Sequence, residues 1–326
     1  MPQESVRPIN PVAEEFAGDS FGKMAKRAFH ATRPKFYPAS VLPILVGTAW
    51  GVSMSGRLDL YLFVLALVAT VCVHAASNVL NDVGDETIGT DRRNEQRIYP
   101  YTGGSRFIQM GILTQSRMAR LGVSLLAVAA LLGMALIVEK GPVVLLFGLA
   151  GIALAVLYSL GPVKLSAIGL GELSVAAAIG VLPVTGAAWL QGAPIDLALL
   201  LFSLPVSAWV AAILFINEVP DIEADGACGK NTLPVRLGLS ASAQVYLAIQ
   251  ATAAIVVVAL AWQDWLPMLA PLVPLGLLVL AWRASIAIKT GVTDRPAMTQ
   301  AIESTLAIHT IGCLWLTGCA LYSIWW

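Results

Sequence analysis

The sequence predicts an all-α, polytopic membrane protein with nine transmembrane helices in one bundle. Three observations carry that prediction. The 326 residues are 57% hydrophobic and only 12% charged, whereas a soluble domain carries about 25% charged residues. The hydrophobic residues gather into nine stretches, each long enough to cross a bilayer core of roughly 30 Å at 1.5 Å per helical residue. The basic residues between the stretches fall almost wholly on one side.

The elements follow in order. Residues 1–35 form a polar arm carrying Arg7, Lys23, Lys26, Arg27, Arg33 and Lys35. No apolar segment with a cleavage site stands there, so a removable signal peptide is not expected and the first membrane helix acts as the insertion signal. The membrane domain occupies 36–326. Its first two stretches, Phe36–Ser55 and Leu60–Val83, are separated by a gap holding Arg57. A long loop with Arg92, Arg93, Arg97, Arg106, Arg117 and Arg120 leads to the third, Met118–Val138. The fourth, Pro142–Leu160, begins just after Lys140-Gly141. Read as one, the third and fourth greatly exceed the ~20 residues of a single crossing. Lys164 precedes the fifth, Leu170–Leu190, and the sixth is Leu197–Val219. Lys230 and Arg236 precede the seventh, Ala241–Trp262. The eighth, Leu266–Ile288, carries Arg283, and Lys289 and Arg295 lead to the ninth, Thr305–Tyr322.

Threaded this way, all but Arg57 and Lys140 of the 20 Lys and Arg residues share one side. Basic residues are retained in the cytoplasm. The expectation is therefore a protein of the inner (plasma) membrane, N-terminus cytoplasmic and C-terminus outside. Trp50, Trp189, Trp262, Trp265, Trp325 and Trp326 fall near the outer ends, as an aromatic belt does, while Trp209 and Trp315 read as core. The net charge is zero, and no basic segment interleaved with aromatics points to nucleic acid. Cys72, Cys228, Cys313 and Cys319 form no CxxC and read as small core residues.

Two acidic words stand out, "NDVGD" at 81–85 and "NEVPD" at 217–221. Each ends an even-numbered stretch, so both lie at cytoplasmic helix ends. Asn78 and Asp82, and Asn81 and Asp85, are spaced i,i+4; Asn217, Asp221 and Asp225 continue i,i+4,i+8. Residues so spaced share a helix face. Each helix thus presents a column of oxygen ligands. Carboxylates are disfavoured at a helix C-terminus and repel one another when stacked, so they are not caps and need a positive partner. Hard divalent cations, Mg²⁺ above all, take carboxylate and amide oxygens and share them with substrate phosphates. Asn81, Asp82, Asp85, Asp221 and Asp225 are the candidate metal ligands. The loops supply Asp91, basic residues for a diphosphate and "GGS" at 103–105, whose backbone N–H groups suit an anion. Lys164 is the single basic residue of its loop. A second class, a cation or metabolite transporter, also uses intramembrane acids, though near the bilayer midplane rather than at one face.

These residues resemble the UbiA superfamily of intramembrane prenyltransferases, from "TRPKFYPASVLPILVGTA" (32–49) onward. "NDVGDETIGTD" (81–91) and "DIEAD" (221–225) are similar to its paired Asp-rich motifs. "GGS…GILT" (103–114), "GLGEL" (169–173) and "DIEADGACGKNTLPVRLG" (221–238) are most similar to the 1,4-dihydroxy-2-naphthoate polyprenyltransferase branch. Pro220 stands where that branch usually carries a basic residue. The resemblance implies a nine-helix bundle and Mg²⁺-dependent transfer of a polyprenyl group from an isoprenyl diphosphate to an aromatic acceptor. That acceptor is 1,4-dihydroxy-2-naphthoate, in menaquinone biosynthesis, or 4-hydroxybenzoate or another phenol; the tail extends toward membrane lipid. Asp82, Asp85, Asp221, Asp225 and Lys164 are then the catalytic candidates. Asn78, Asn81, Asp91, Arg97, Arg106, Tyr158, Asn217 and Lys230 are the candidate substrate contacts. His74 and Glu172 are weaker candidates for the pocket and for the acceptor.

Overall fold

The computed structural model describes residues 10–160 and 163–322, and Arg7, Trp325 and Trp326 lie outside that range. Helices fill it: α1 Phe21–Ala31, α2 Pro38–Ser55, α3 Leu60–Ile88, α4 Thr90–Arg93, α5 Gln115–Lys140, α6 Val143–Ser159, α7 Gly171–Val175, α8 Leu182–Leu190, α9 Leu197–Glu218, α10 Ile222–Ala227, α11 Leu233–Trp262, α12 Leu272–Thr290 and α13 Arg295–Tyr322. No strand occurs among the described residues. Seven stretches are long and apolar enough to cross a membrane, making this a multi-pass membrane protein. One of the seven, Leu272–Tyr322, comprises α12 and α13 joined by the 3₁₀ turn Gly291–Asp294, and the apolar α6 is shorter than the rest.

Side-chain oxygens start several helices by accepting the free backbone N–H groups of the first turn. Asp59 accepts from Leu62 N at 3.1 Å, Thr114 from Arg117 N at 3.3 Å and Asp196 from Leu199 N at 2.9 Å. α3 stops at Gly89, whose φ of 89° closes the helix with a bond to the Asp85 carbonyl. α11 is interrupted at Gly238, so its membrane portion begins near the start of the apolar run. The predicted fifth stretch is one helix in the sequence reading and three pieces in the fold. A π-helical turn, Ala176–Val181, separates α7 from α8. Pro183, just after it, has no N–H to donate, and its ring crowds the preceding turn, which the wider coil accommodates.

α3 packs on α5 and α6, while α9, α11, α12 and α13 pack together, and α2 lies between, against α8 and α13. The α2–α8 contact is backbone to backbone. A Cβ on Gly47 would run into the Val184 carbonyl, and one on Gly51 would stand 2.5 Å from the Ala188 carbonyl. Gly47 and Gly51 are four residues apart, the small-residue spacing that lets membrane helices touch. Trp50 is a correction to the aromatic-belt reading. It is buried, its ring centred 4.3 Å from that of Phe202 on α9, so it faces into the bundle rather than the lipid. Trp262 is exposed, and Trp209 is buried.

Candidate active site

The C-terminal ends of α3 and α9 face one another. Between them lies a polar chamber of about 140 Å³, with Asn78, Asn81, Asp85 and Asp91 on one wall and Asn217, Asp221, Asp225 and Lys230 on the other. The helices place these residues as their spacing requires: i,i+4 columns turn inward from each side. The loop 94–111 covers the chamber, and Gly103 and Gly104, at φ 65° and 71°, let its backbone pass close to the acids.

Two cations cross the site. Arg33 pairs with Asp82 and also reaches Asn81 Oδ1 at 3.5 Å. Lys230 Nζ stands between the two acidic words, 3.2 Å from Asp85 and 3.6 Å from Asp225. Burial opposes the Lys230 charge, but Asp85 and Asp225 outweigh it and hold its pKa well above the usual value. Burial draws the Arg33 pKa down, against the pull of Asp91 and Asp85. Burial also raises Asp91, with Asp85 adding to the effect, to about 7. Arg33 and Arg106 pull the other way without cancelling the burial.

The Gly-Gly-Ser segment corrects an expectation. Its N–H groups meet anions, but these are the protein's own. Gly103 N donates to Asp221 Oδ2 at 3.1 Å and Ser105 N to Asp82 Oδ2 at 3.1 Å, with the Ser105 hydroxyl on the same oxygen. Asn94 Nδ2 holds the other oxygen of Asp221 at 2.6 Å. Asp82 is thereby buried behind the chamber wall rather than lining it.

Besides Asp82, three more predicted site residues do not line the chamber. Arg97 donates to the Gly104 carbonyl at 3.2 Å and to Asn10 Oδ1 at 3.1 Å, so its guanidinium braces the loop. Burial lowers its pKa to about 10, and the neighbouring Arg106 adds to that. Arg106 spends its guanidinium on the carbonyls of Asp91 and Asn94. Lys164 precedes the turn Leu165–Ile168, which docks through its main chain on Asn231 and Arg236, and this leaves Lys164 off the wall. Conversely, Arg33, Asn94, Thr102 and Glu218 line the site without having been singled out. Arg33 stood in the "RPK" segment but read as a topology signal. Glu218 is a carboxylate inside an apolar run, one helix turn before Asp221, and that was a usable signal.

Below the polar chamber lies a second, apolar one of about 320 Å³ between α3, α5, α6 and the α7–α8 segment. His74, Ser77, Tyr158, Val175 and Ile179 line both. The weak expectation for His74 is met in position: it lies on the shared wall, its Nδ1 3.0 Å from Ser40 Oγ.

Among the described residues no three acids close on a single ion as they stand. Lys230 lies between two of them, so gathering a third means displacing a cation. The donor set nevertheless fits a hard divalent ion: it is all oxygen, rich in carboxylate, and leaves Asn217 Oδ1 and Asn94 Oδ1 buried and unpartnered.

An acid-lined chamber that shares a wall with a hydrocarbon-lined one suits an intramembrane enzyme for substrates with a charged head and an apolar tail. The chain belongs to the UbiA prenyltransferase family, whose pattern matches residues 40–304. A 1,4-dihydroxy-2-naphthoate octaprenyltransferase of Escherichia coli is 35% identical over 63% of this chain and 67% of its own length. Its Haemophilus influenzae namesake is 32% identical over 75% of this chain and 82% of its own. The fold matches a UbiA homolog from Archaeoglobus fulgidus, solved bound to GPP and Mg²⁺, with a TM-score of 0.64 at 16% identity, over 91% of this chain and 99% of that one. Family membership removes the transporter reading.

Proposed function

We propose that this protein transfers a polyprenyl group from an isoprenyl diphosphate to 1,4-dihydroxy-2-naphthoate, with loss of CO₂, in menaquinone biosynthesis. The observation that carries this reading is the pair of chambers with a common wall. The head chamber sits between two acidic helix ends, and the tail chamber beneath it is apolar. The names of the bacterial relatives support the acceptor, and the bound GPP and Mg²⁺ of the archaeal homolog support the donor and the cofactor. The Lys and Arg distribution supports placement in the inner membrane with the site and N-terminus cytoplasmic and the C-terminus outside.

Asn81, Asp85, Asp221 and Asp225 would hold Mg²⁺, while Asp82, predicted as a ligand, is held behind them by Arg33 and Ser105. When bound, the ion neutralises the diphosphate and the charge that grows on it as the allylic C–O bond breaks. Lys230 is a buried cation and Arg33 a half-buried one, both already in place; freed from their acids, they orient the diphosphate and favour its more charged, departing form. Asn78 and Asn217 bind its oxygens. Val210, Ile213, Leu214 and Phe36 give the acceptor ring an apolar wall. The apolar chamber receives the tail and excludes water that would capture the allyl cation.

The test is chemical. The purified protein is given Mg²⁺, an isoprenyl diphosphate and carboxyl-labelled dihydroxynaphthoate. Labelled CO₂ released in step with a prenylated quinone is the expected result. An inert naphthoate beside a 4-hydroxybenzoate prenylated with its carboxylate retained would overturn the acceptor assignment.

A further inference from the structure

Glu172 lies in the first turn of α7 and Glu218 at the end of α9. Both are buried, at 6% and 7% exposure, on helices that pack together, and a Cβ on Gly171, next to Glu172, would stand 3.6 Å from Glu218 Oε1. A carboxylate only accepts, so two carboxyl groups can share a hydrogen bond only with a proton on one of them. Each has a buried oxygen without a hydrogen-bond donor, Glu172 Oε1 and Glu218 Oε2. Buried acceptors without donors are costly and rare. Glu218 lines the polar chamber beside Leu214 and Tyr158.

A favourable place at a helix N-terminus would explain Glu172 alone. It does not explain a second acid pressed against it from another helix, at a C-terminal end where the dipole opposes the charge. Nor does the pair belong to the proposed metal set, which lies on α3, in the turn Val219–Asp221 after α9 and on α10.

Resting on the acceptor reading above, we propose that the Glu172–Glu218 pair takes the proton of the acceptor's ring hydroxyl. Glu218 lines the chamber together with Val210, Ile213 and Leu214, the wall assigned to the ring. As the allylic C–O bond breaks, the new C–C bond forms at the carboxyl-bearing ring carbon. The adjacent hydroxyl passes its proton to the pair and becomes a carbonyl. The bond to the carboxylate then breaks and CO₂ leaves. Its electron pair restores the aromatic ring, and the oxygen takes the proton back. The pair ends each cycle as it began, and no oxidant is consumed. A pair of carboxyls that holds one proton between them is suited to lending and recovering a proton in this way.

The full-length protein is compared with Glu218→Gln and Glu172→Gln, which keep shape and polarity. In both, kcat with dihydroxynaphthoate falls about 10²-fold or more, the usual scale for a lost proton acceptor. The KM for the isoprenyl diphosphate stays unchanged. A ring-chlorinated acceptor, whose hydroxyl ionises more readily, recovers much of the lost rate relative to wild type. An equal loss with both acceptors, a parallel rise in both KM values, or a wild-type rate in Glu218→Gln overturns the proposal. If wild-type protein instead prenylates a different phenol, the acceptor assignment has failed separately. The same variants are then run with that phenol, and the same loss and rescue decide the role of the pair.

Discussion

Gly104 is the point where a single methyl group should disable the site without unfolding the bundle. Its φ is 71°, and a Cβ there would stand 2.5 Å from Asp91 Oδ2 and 3.1 Å from Asp82 Oδ1. Gly111, seven residues on in the same loop, has φ 67° and nothing within 4 Å of an added Cβ. Alanine at either position incurs the left-handed penalty of about 1–2 kcal/mol. Only Gly104→Ala adds the cost of overpacking, about 1–3 kcal/mol. The acids have little room to yield, since Asp82 is fixed by Arg33 and Ser105 and Asp91 is buried. The assay pairs apparent melting temperature in one detergent with steady-state prenylation. Gly111→Ala should melt slightly below wild type and keep its kcat. Gly104→Ala should melt lower still and lose about tenfold or more in kcat/KM for the diphosphate, the equivalent of about 1.4 kcal/mol. Equal activity in the two variants would refute the view that this loop sets the position of the acids.

Asp85→Asn and Asp221→Asn should each abolish turnover while the protein still inserts and folds, and EDTA should do the same to wild type until Mg²⁺ is restored; near-normal activity in either variant would sink the shared-cation scheme. Asp91 gives a pH prediction. Its folded pKa, about 7, lies above the unfolded value, so it favours the folded state at low pH and loses that contribution as pH rises through 7. In EDTA the melting temperature should therefore fall between about pH 4 and pH 7 and level off above, and Asp91→Asn should flatten that slope. Reporter fusions at the C-terminus should be active only outside the cytoplasm; activity inside would mean an even number of crossings.

The sequence disclosed the two acid columns because i,i+4 spacing is a local property of a helix, and α3 and α9 do present Asp85 and Asp221 to one chamber. It located the membrane stretches because apolar runs are also local. It underestimated helix length, since hydrogen bonding continues past the apolar run: α5 begins at Gln115 and α13 at Arg295, ahead of the predicted Met118 and Thr305. The partners of the acids were not legible. Arg33 reaches Asp82 across 49 residues and Lys230 reaches Asp85 across 145. Nothing in the local pattern separates such a cation from one that merely signals topology, and Arg97 and Arg106 show the opposite outcome. Trp50 looked like a belt residue because depth along a helix can be read from sequence, but the face it presents depends on the neighbouring helix.

The two chambers have five residues in common and otherwise draw on different parts of the chain. Their evolution can therefore proceed on separate tracks. Exchanges along α6 and α8, such as at Leu145, Leu149 or Gly186, reshape the space for the tail without touching a group that handles the head. Exchanges at Ile213 or Leu214, which line only the polar chamber, would on the proposed function retune the ring site without altering tail length. A lineage can lengthen its quinone tail while keeping its acceptor, or adopt a new acceptor while keeping its tail. Only changes at His74, Ser77, Tyr158, Val175 and Ile179 bind the two traits together.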